Sequence, residues 1–124
     1  MIEYTVQVHR NGTKFWLLNN RLHREDGPAI EWANGGKEYF LNGKRHREDG
    51  PACEWFDGHK QWYFNDKLHR VDGPACEYAN GEKYWYLDGW PVTEEEHKRR
   101  TGPTKELTVQ EISDLLGYEV KVIK

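Results

Sequence analysis

The sequence predicts a mainly β fold, an open antiparallel array of stacked β-hairpin repeats with a small C-terminal helix-helix-strand cap. Three observations lead there. Asn11-Gly12, Asn34-Gly35, Asp57-Gly58 and Asn80-Gly81 recur at a constant 23-residue step without insertion or deletion. The same step links Leu22-His23-Arg24-Glu25-Asp26-Gly27-Pro28-Ala29 to Arg45-His46-Arg47-Glu48-Asp49-Gly50-Pro51-Ala52 and to Leu68-His69-Arg70-Val71-Asp72-Gly73-Pro74-Ala75. Beyond residue 93 the aromatic alternation gives way to charged, helix-forming sequence.

The array occupies 1–93, with full units at 11–33, 34–56 and 57–79 and a half unit at 80–93, and the cap occupies 94–124. Tyr4 to His9 alternates in the manner of a strand that closes the first edge. Within each unit, Asn-Gly or Asp-Gly between aromatic runs signals a two-residue type I′ hairpin, which needs φ > 0 at both central positions. Around Asn34-Gly35 such a loop pairs Ala33 with Gly36, Trp32 with Lys37, Glu31 with Glu38 and Ile30 with Tyr39. Alternation then places Ile30, Trp32, Tyr39 and Leu41 on one face, repeated as Cys53, Trp55, Trp62, Phe64 and as Cys76, Tyr78, Trp85, Leu87. This face is the expected core. The Arg-Glu-Asp-Gly-Pro-Ala segment makes the return between strands, with Gly27 supplying φ > 0 and Pro28 withholding a donor from the ladder. Units that cannot bury a face alone stack along one axis.

In the cap, Thr93 with Glu96 reads as a capping box that opens a short polar helix through Arg100, stopped by Gly102-Pro103. Thr108 with Glu111 opens a second helix, Gly117 ends it, and Tyr118 to Ile123 alternates as an edge strand. The cap covers the open end of the sheet.

Composition narrows the function. Six Trp, seven Tyr and four Phe in 124 residues exclude disorder even though the mean hydropathy is −1.02. A net charge of −3 supplies no global attraction to nucleic acid or anionic lipid. The apolar runs are too short to span a bilayer, and the N-terminus lacks a signal-peptide pattern, so a cytoplasmic protein is expected, in the host cell if phage-encoded.

The repeat block, with Asn-Gly-X-Lys-X-Trp/Tyr-Tyr/Phe-Leu-Asn-Gly between copies, resembles the variant repeats related to the membrane occupation and recognition nexus (MORN) repeat, common in bacteriophages and large DNA viruses. The resemblance covers residues 11–93 and, more weakly, the Leu107 to Tyr118 tail. It implies a β-hairpin fold and names no catalytic residue. The chain has less glycine and tyrosine than the usual MORN repeat, so the lipid-binding role of those repeats is not carried over.

Candidate chemistry is sparse. His23, His46 and His69 occupy equivalent positions about 9.6 Å apart, too far for one zinc, and each suits a turn hydrogen bond. Cys53 and Cys76 have the same spacing, beyond disulfide reach, and are expected as free, buried thiols. Arg24/Asp26, Arg47/Asp49 and Arg70/Asp72 suit local pairs that hold the returns shut, with contact to an anion as the alternative. A residue repeated in every unit serves every unit alike, whereas an active site is singular; no catalytic, cofactor or metal site is expected. The non-core face carries a file of Leu17, Phe40, Tyr63 and Tyr86, flanked by Phe15, Glu38, Gln61 and Tyr84. This file marks a binding surface unless the returns or the tail cover it.

The leading expectation is a non-enzymatic protein-interaction module of phage or viral origin. It grips a host or viral protein through that aromatic face or a sheet edge, as an inhibitor of host defence among other roles. Two alternatives accompany it. One is capture of a nucleotide or single strand by aromatic stacking with Arg24, Arg47 and Arg70 on phosphate. The other is a structural subunit that homo-oligomerises through its open edges.

Overall fold

The computed structural model describes residues 3–102 together with Val109, Gln110 and Asp114. An edge strand β1 (Thr5–Val8) precedes β2 (Lys14–Leu18), β3 (Arg21–Leu22) and β4 (Ile30–Glu31) of the first unit. The second unit supplies β5 (Lys37–Glu38), β6 (Phe40–Leu41), β7 (Lys44–Arg45) and β8 (Cys53–Glu54). The third supplies β9 (Lys60–Gln61), β10 (Tyr63–Phe64), β11 (Lys67–Leu68) and β12 (Cys76–Glu77). The half unit ends with β13 (Lys83–Leu87) and β14 (Trp90–Val92), followed by helix α1 (Glu94–Thr101). The main sheet is open and antiparallel in the order β1-β2-β4-β5-β8-β9-β12-β13-β14, with β3 beside β2, while β6-β7 and β10-β11 form separate ribbons.

Each unit therefore contains two kinds of hairpin. In the main sheet, Gly35 N–H donates to Trp32 O at 2.9 Å and Trp32 N–H to Gly36 O at 2.8 Å. Gly35 has φ +97°, but Asn34 is not left-handed. This is a three-residue loop, a type I turn closed by a glycine bulge. Asn34 Oδ1 accepts Gly36 N–H at 3.0 Å, the Asx contact that favours Asn at this position. The same arrangement recurs at Gly12, Gly58 and Gly81. The two-residue type I′ turns fall eight residues later. Asn42-Gly43 has φ +51° and +78°, and Asn19-Asn20, Asn65-Asp66 and Asp88-Gly89 are likewise left-handed at both positions.

The bulge corrects the predicted register. Ile30 pairs with Glu38 and Glu31 with Lys37, one residue away from the expected partners. A one-residue slip exchanges the faces. One row across the sheet is Gln7, Phe15, Ile30, Glu38, Cys53, Gln61, Cys76, Tyr84. Its neighbour on the opposite face alternates Lys14, Glu31, Lys37, Glu54, Lys60, Glu77, Lys83, so unlike charges face each other at every step.

The inner face is the core. Ile30 and Phe40 are buried together, with Phe15, Leu22 and Trp32 packed against them, and Cys53 and Cys76 are buried further along. Of the face expected to be core, Ile30, Trp32, Cys53, Trp55, Cys76 and Tyr78 lie on this side. Tyr39, Leu41, Trp62, Phe64 and Trp85 belong to the outer face, because the bulge shifts their strand by one residue relative to its partner, whereas Leu87, also expected in the core, is buried at 7 % exposure on the strand against which the C-terminal helix packs.

The returns are locked from outside. Arg24 stacks on Trp16 at 4.0 Å, Arg47 on Tyr39 at 4.0 Å and Arg70 on Trp62 at 3.8 Å. Each guanidinium also bonds the Asp two residues on, at 3.0 Å in all three units, and the carbonyl of the following proline. Gly27, Gly50 and Gly73 do not have positive φ, contrary to expectation. They are glycines because a Cβ there would meet the guanidinium carbon at 3.0, 3.0 and 2.8 Å.

At the C-terminal end, Thr93 caps α1 by accepting Glu96 N–H at 3.0 Å, and buried His97 places Nε2 2.6 Å from Arg70 O. Val109, Gln110 and Asp114 have helical backbone, consistent with the second helix. The rest of that helix and the expected strand over 118–123 lie outside the described residues.

Candidate functional site

The residues expected to form a binding file separate once the faces are assigned. Phe15, Leu17 and Phe40 lie on the inner face in the first half of the array, and Phe40, at 6 % exposure, is part of the core. Tyr63 and Tyr86 continue the row half-buried, and only Tyr84, at 46 % exposure, is open to solvent. The first half of the file is therefore interior, whereas Tyr84 and Tyr86 line, with His59 and Tyr78, an open recess of about 350 Å³ at the last unit. Burial raises the Tyr63 hydroxyl pKa, helped by the nearby Cys53 thiol.

The second unit holds a singular polar cluster on this inner face. Glu38, 2 % exposed, accepts from Trp32 Nε1 at 2.7 Å and from Arg45 at 3.1 and 3.3 Å, and Cys53 Sγ lies 3.8 Å from it. The equivalent positions are Phe15, Gln61 and Tyr84, so one unit alone has a buried carboxylate. Burial, then the charge of Glu38, push the Cys53 thiol up to about 12, which keeps it protonated and unreactive near neutral pH. Glu38 itself is enclosed while Arg45 reaches solvent, and the partners fill the carboxylate's acceptor positions; the cluster holds a polar core together. Cys53 and Cys76 are both free and buried, with Gln61 between them in the row.

The histidines serve the joints between units. Nδ1 of His23 accepts Asn42 N–H at 2.8 Å, that of His46 accepts Asn65 N–H at 3.0 Å, and that of His69 accepts Asp88 N–H at 2.9 Å. Each ring therefore holds the type I′ turn of the following unit. Among the described residues, no three His, Cys, Asp or Glu side chains are grouped as metal ligands.

The outer face carries two larger openings. Between consecutive returns lie two equivalent grooves, offset by one unit. The first, of about 600 Å³, is floored by Tyr39 and Leu41 and walled by residues 24–27 and 46–49. The second, of about 720 Å³, has Trp62 and Phe64 as its floor, with walls at 47–50 and 69–72. Leu41 of the first becomes Phe64 of the second, and Glu48 becomes Val71; Phe64 is 43 % exposed and Val71 55 %. Arg24, Arg47 and Arg70 border these grooves, but their guanidinium groups face the aromatic rings and the Asp and Glu carboxylates.

Sequence reasoning passed over Tyr39, Leu41, Trp62, Phe64 and Val71 as surface residues. A signal for them was present. The expected register set Glu31 against Glu38, whereas the shift by one sets Glu31 against Lys37, Glu54 against Lys60 and Glu77 against Lys83 in every unit. Comparisons with protein-family models, curated proteins and solved structures returned no match for this chain.

Proposed function

We propose that this chain is a non-enzymatic protein-interaction module whose outer face grips a partner. One observation carries the reading: exposed Phe64 and Val71 line the second outer-face groove. Exposed apolar side chains rimmed by charge are typical of a contact surface. The repeat resemblance adds a phage or viral origin to the proposal, which makes host or viral proteins the partners, host-defence proteins among them.

The test compares capture from host lysate by the wild-type protein and by the variant Phe64→Ser/Val71→Ser, with captured proteins quantified by mass spectrometry. Both substitutions are at exposed positions, so the fold is retained, and circular dichroism checks this. A partner retained by the wild type and lost by the variant supports the proposal. Identical capture overturns it.

Nucleotide capture has less support, because the three arginines it needs are engaged with carboxylates and rings. Homo-oligomerisation has a specific observation in its favour. All four residues of β1, Thr-Val-Gln-Val, are exposed and uncharged, and β1 pairs on one side only. Light scattering that shows a dimer, with Val6→Lys restoring a monomer, would support that second reading; a monomeric wild type overturns it.

A further inference from the structure

We infer that the two outer-face grooves form one binding site for a proline-rich segment in the polyproline II conformation, carrying a basic side chain and, three residues along, a large apolar one. The inference rests on the interaction-module reading and names the partner's chemistry.

Spacing is the first argument. Equivalent points of the two grooves are one repeat apart, which is two strand separations or about 9.6 Å. A polyproline II helix advances about 3.1 Å per residue with three residues per turn, so side chains i and i+3 project in the same direction about 9.3 Å apart. Fully extended β backbone alternates sides at each residue, so its i and i+3 side chains point to opposite faces. An α-helix returns a side chain to the same face after three or four residues, about 4.5–6 Å, and again after seven, about 10.5 Å, so its spacing falls short of the pitch or overshoots it by about 1 Å. Among regular backbones, polyproline II fits two identical recesses at this pitch.

Charge and apolarity are the second argument, because they distinguish the recesses. The walls of the first carry Glu25, Asp26, Glu48 and Asp49 against Arg24 and Arg47, an excess of two negative charges. Glu25 and Glu48 are exposed, each 3.5 Å from a histidine Nε2, so their carboxylates remain available to an arriving cation. The second groove carries Glu48, Asp49 and Asp72 against Arg47 and Arg70, an excess of one negative charge; Val71 stands where Glu48 stands in the first, and the more exposed Phe64 replaces Leu41. A guanidinium or ammonium suits the first recess and a leucine-sized side chain the second.

The test uses the full chain and fluorescein-labelled decapeptides read by anisotropy. The probe is Gly-Pro-Pro-Arg-Pro-Pro-Leu-Pro-Pro-Gly, with its reversed sequence as a second probe because this helix reads similarly in both directions. Saturable binding of either is expected. Arg→Glu in the peptide, Leu→Gly in the peptide, and a version with Arg and Leu two residues apart should each weaken it at least about tenfold. On the protein, Phe64→Ser should weaken it by a similar factor. Glu25→Gln/Glu48→Gln should weaken it less at high salt than at low salt, because part of the attraction is then already screened. Equal affinity for the correctly spaced and misspaced peptides overturns the inference, as does absence of binding to about 1 mM by folded protein. If the peptides fail while Phe64→Ser/Val71→Ser still abolishes lysate capture, the partner chemistry is wrong and the interaction-module reading stands.

Discussion

The two faces of the sheet are built on opposite rules. Outside, the units are nearly identical: Lys14, Lys37, Lys60 and Lys83 alternate with Glu31, Glu54 and Glu77, and each arginine stacks over its ring and closes its return. Inside, the small buried Ala29, Ala52 and Ala75 recur, but the larger side chains change from unit to unit. Phe15 and Leu22 become Glu38 and Arg45, then Gln61 and Leu68, then Tyr84 and Pro91. Repetition on the outside is possible because each return is a self-contained set of short contacts. The inside is one continuous packing problem, in which Ile30 and Phe40 of successive units pack together with Phe15, Leu22 and Trp32. Variation along a repeat array is therefore not by itself a mark of recognition, since here most of it fills the core.

Substitutions that treat the two faces alike sharpen this contrast. Phe40 and Phe64 lie in the separate ribbons of the second and third units and on opposite faces, so Phe40→Ala should cost about 3 kcal/mol and Phe64→Ala less than about 1 kcal/mol in urea denaturation. Equal losses would erase the distinction between inner and outer. Next in size, Glu38→Ala leaves Trp32 Nε1 without its acceptor inside the sheet and should cost about 2 kcal/mol. Glu54→Ala removes a partly exposed ion pair to Arg47 and should cost about 0.5 kcal/mol.

Gly50→Ala tests the lock itself. The added methyl displaces the Arg47 guanidinium, for about 1 kcal/mol. In an Arg47→Ala background the same change should cost little, because the group it collides with is gone, and a double-mutant cycle measures the difference. The last prediction is an alkaline one. Burial holds the Cys53 thiol near 12 in the folded state, above the ordinary thiol value it has when unfolded. Its contribution is therefore complete below the ordinary thiol pKa and is lost as pH rises toward 12. Stability of the wild type should fall over that range, and Cys53→Ala, whatever its cost at neutral pH, should show a shallower fall.

How much of this was legible beforehand depends on the residue. The period, the β content, the Arg–Asp pairs and the Thr93 cap follow from local chemistry, and the structure has them at the expected positions. The sides taken by Tyr39 and Phe64 were not legible, because they depend on the turn, and the turn on its surroundings. Asn34-Gly35 and Asn42-Gly43 are the same dipeptide, yet one makes a type I turn with a bulge and the other a type I′ turn. Asn34 turns its side chain onto Gly36 N–H. Asn42 and Gly43 instead donate their backbone N–H groups to His23 Nδ1 and Leu22 O, 19 and 21 residues earlier in the chain.

The amino-acid sequence by itself determined that this chain folds as an array of hairpins with a 23-residue period, because a period and its turn residues are local properties. Which face became the core was decided only by tertiary structure. A single bulge residue per unit sets the register, and alternation then carries that choice to every side chain beyond it.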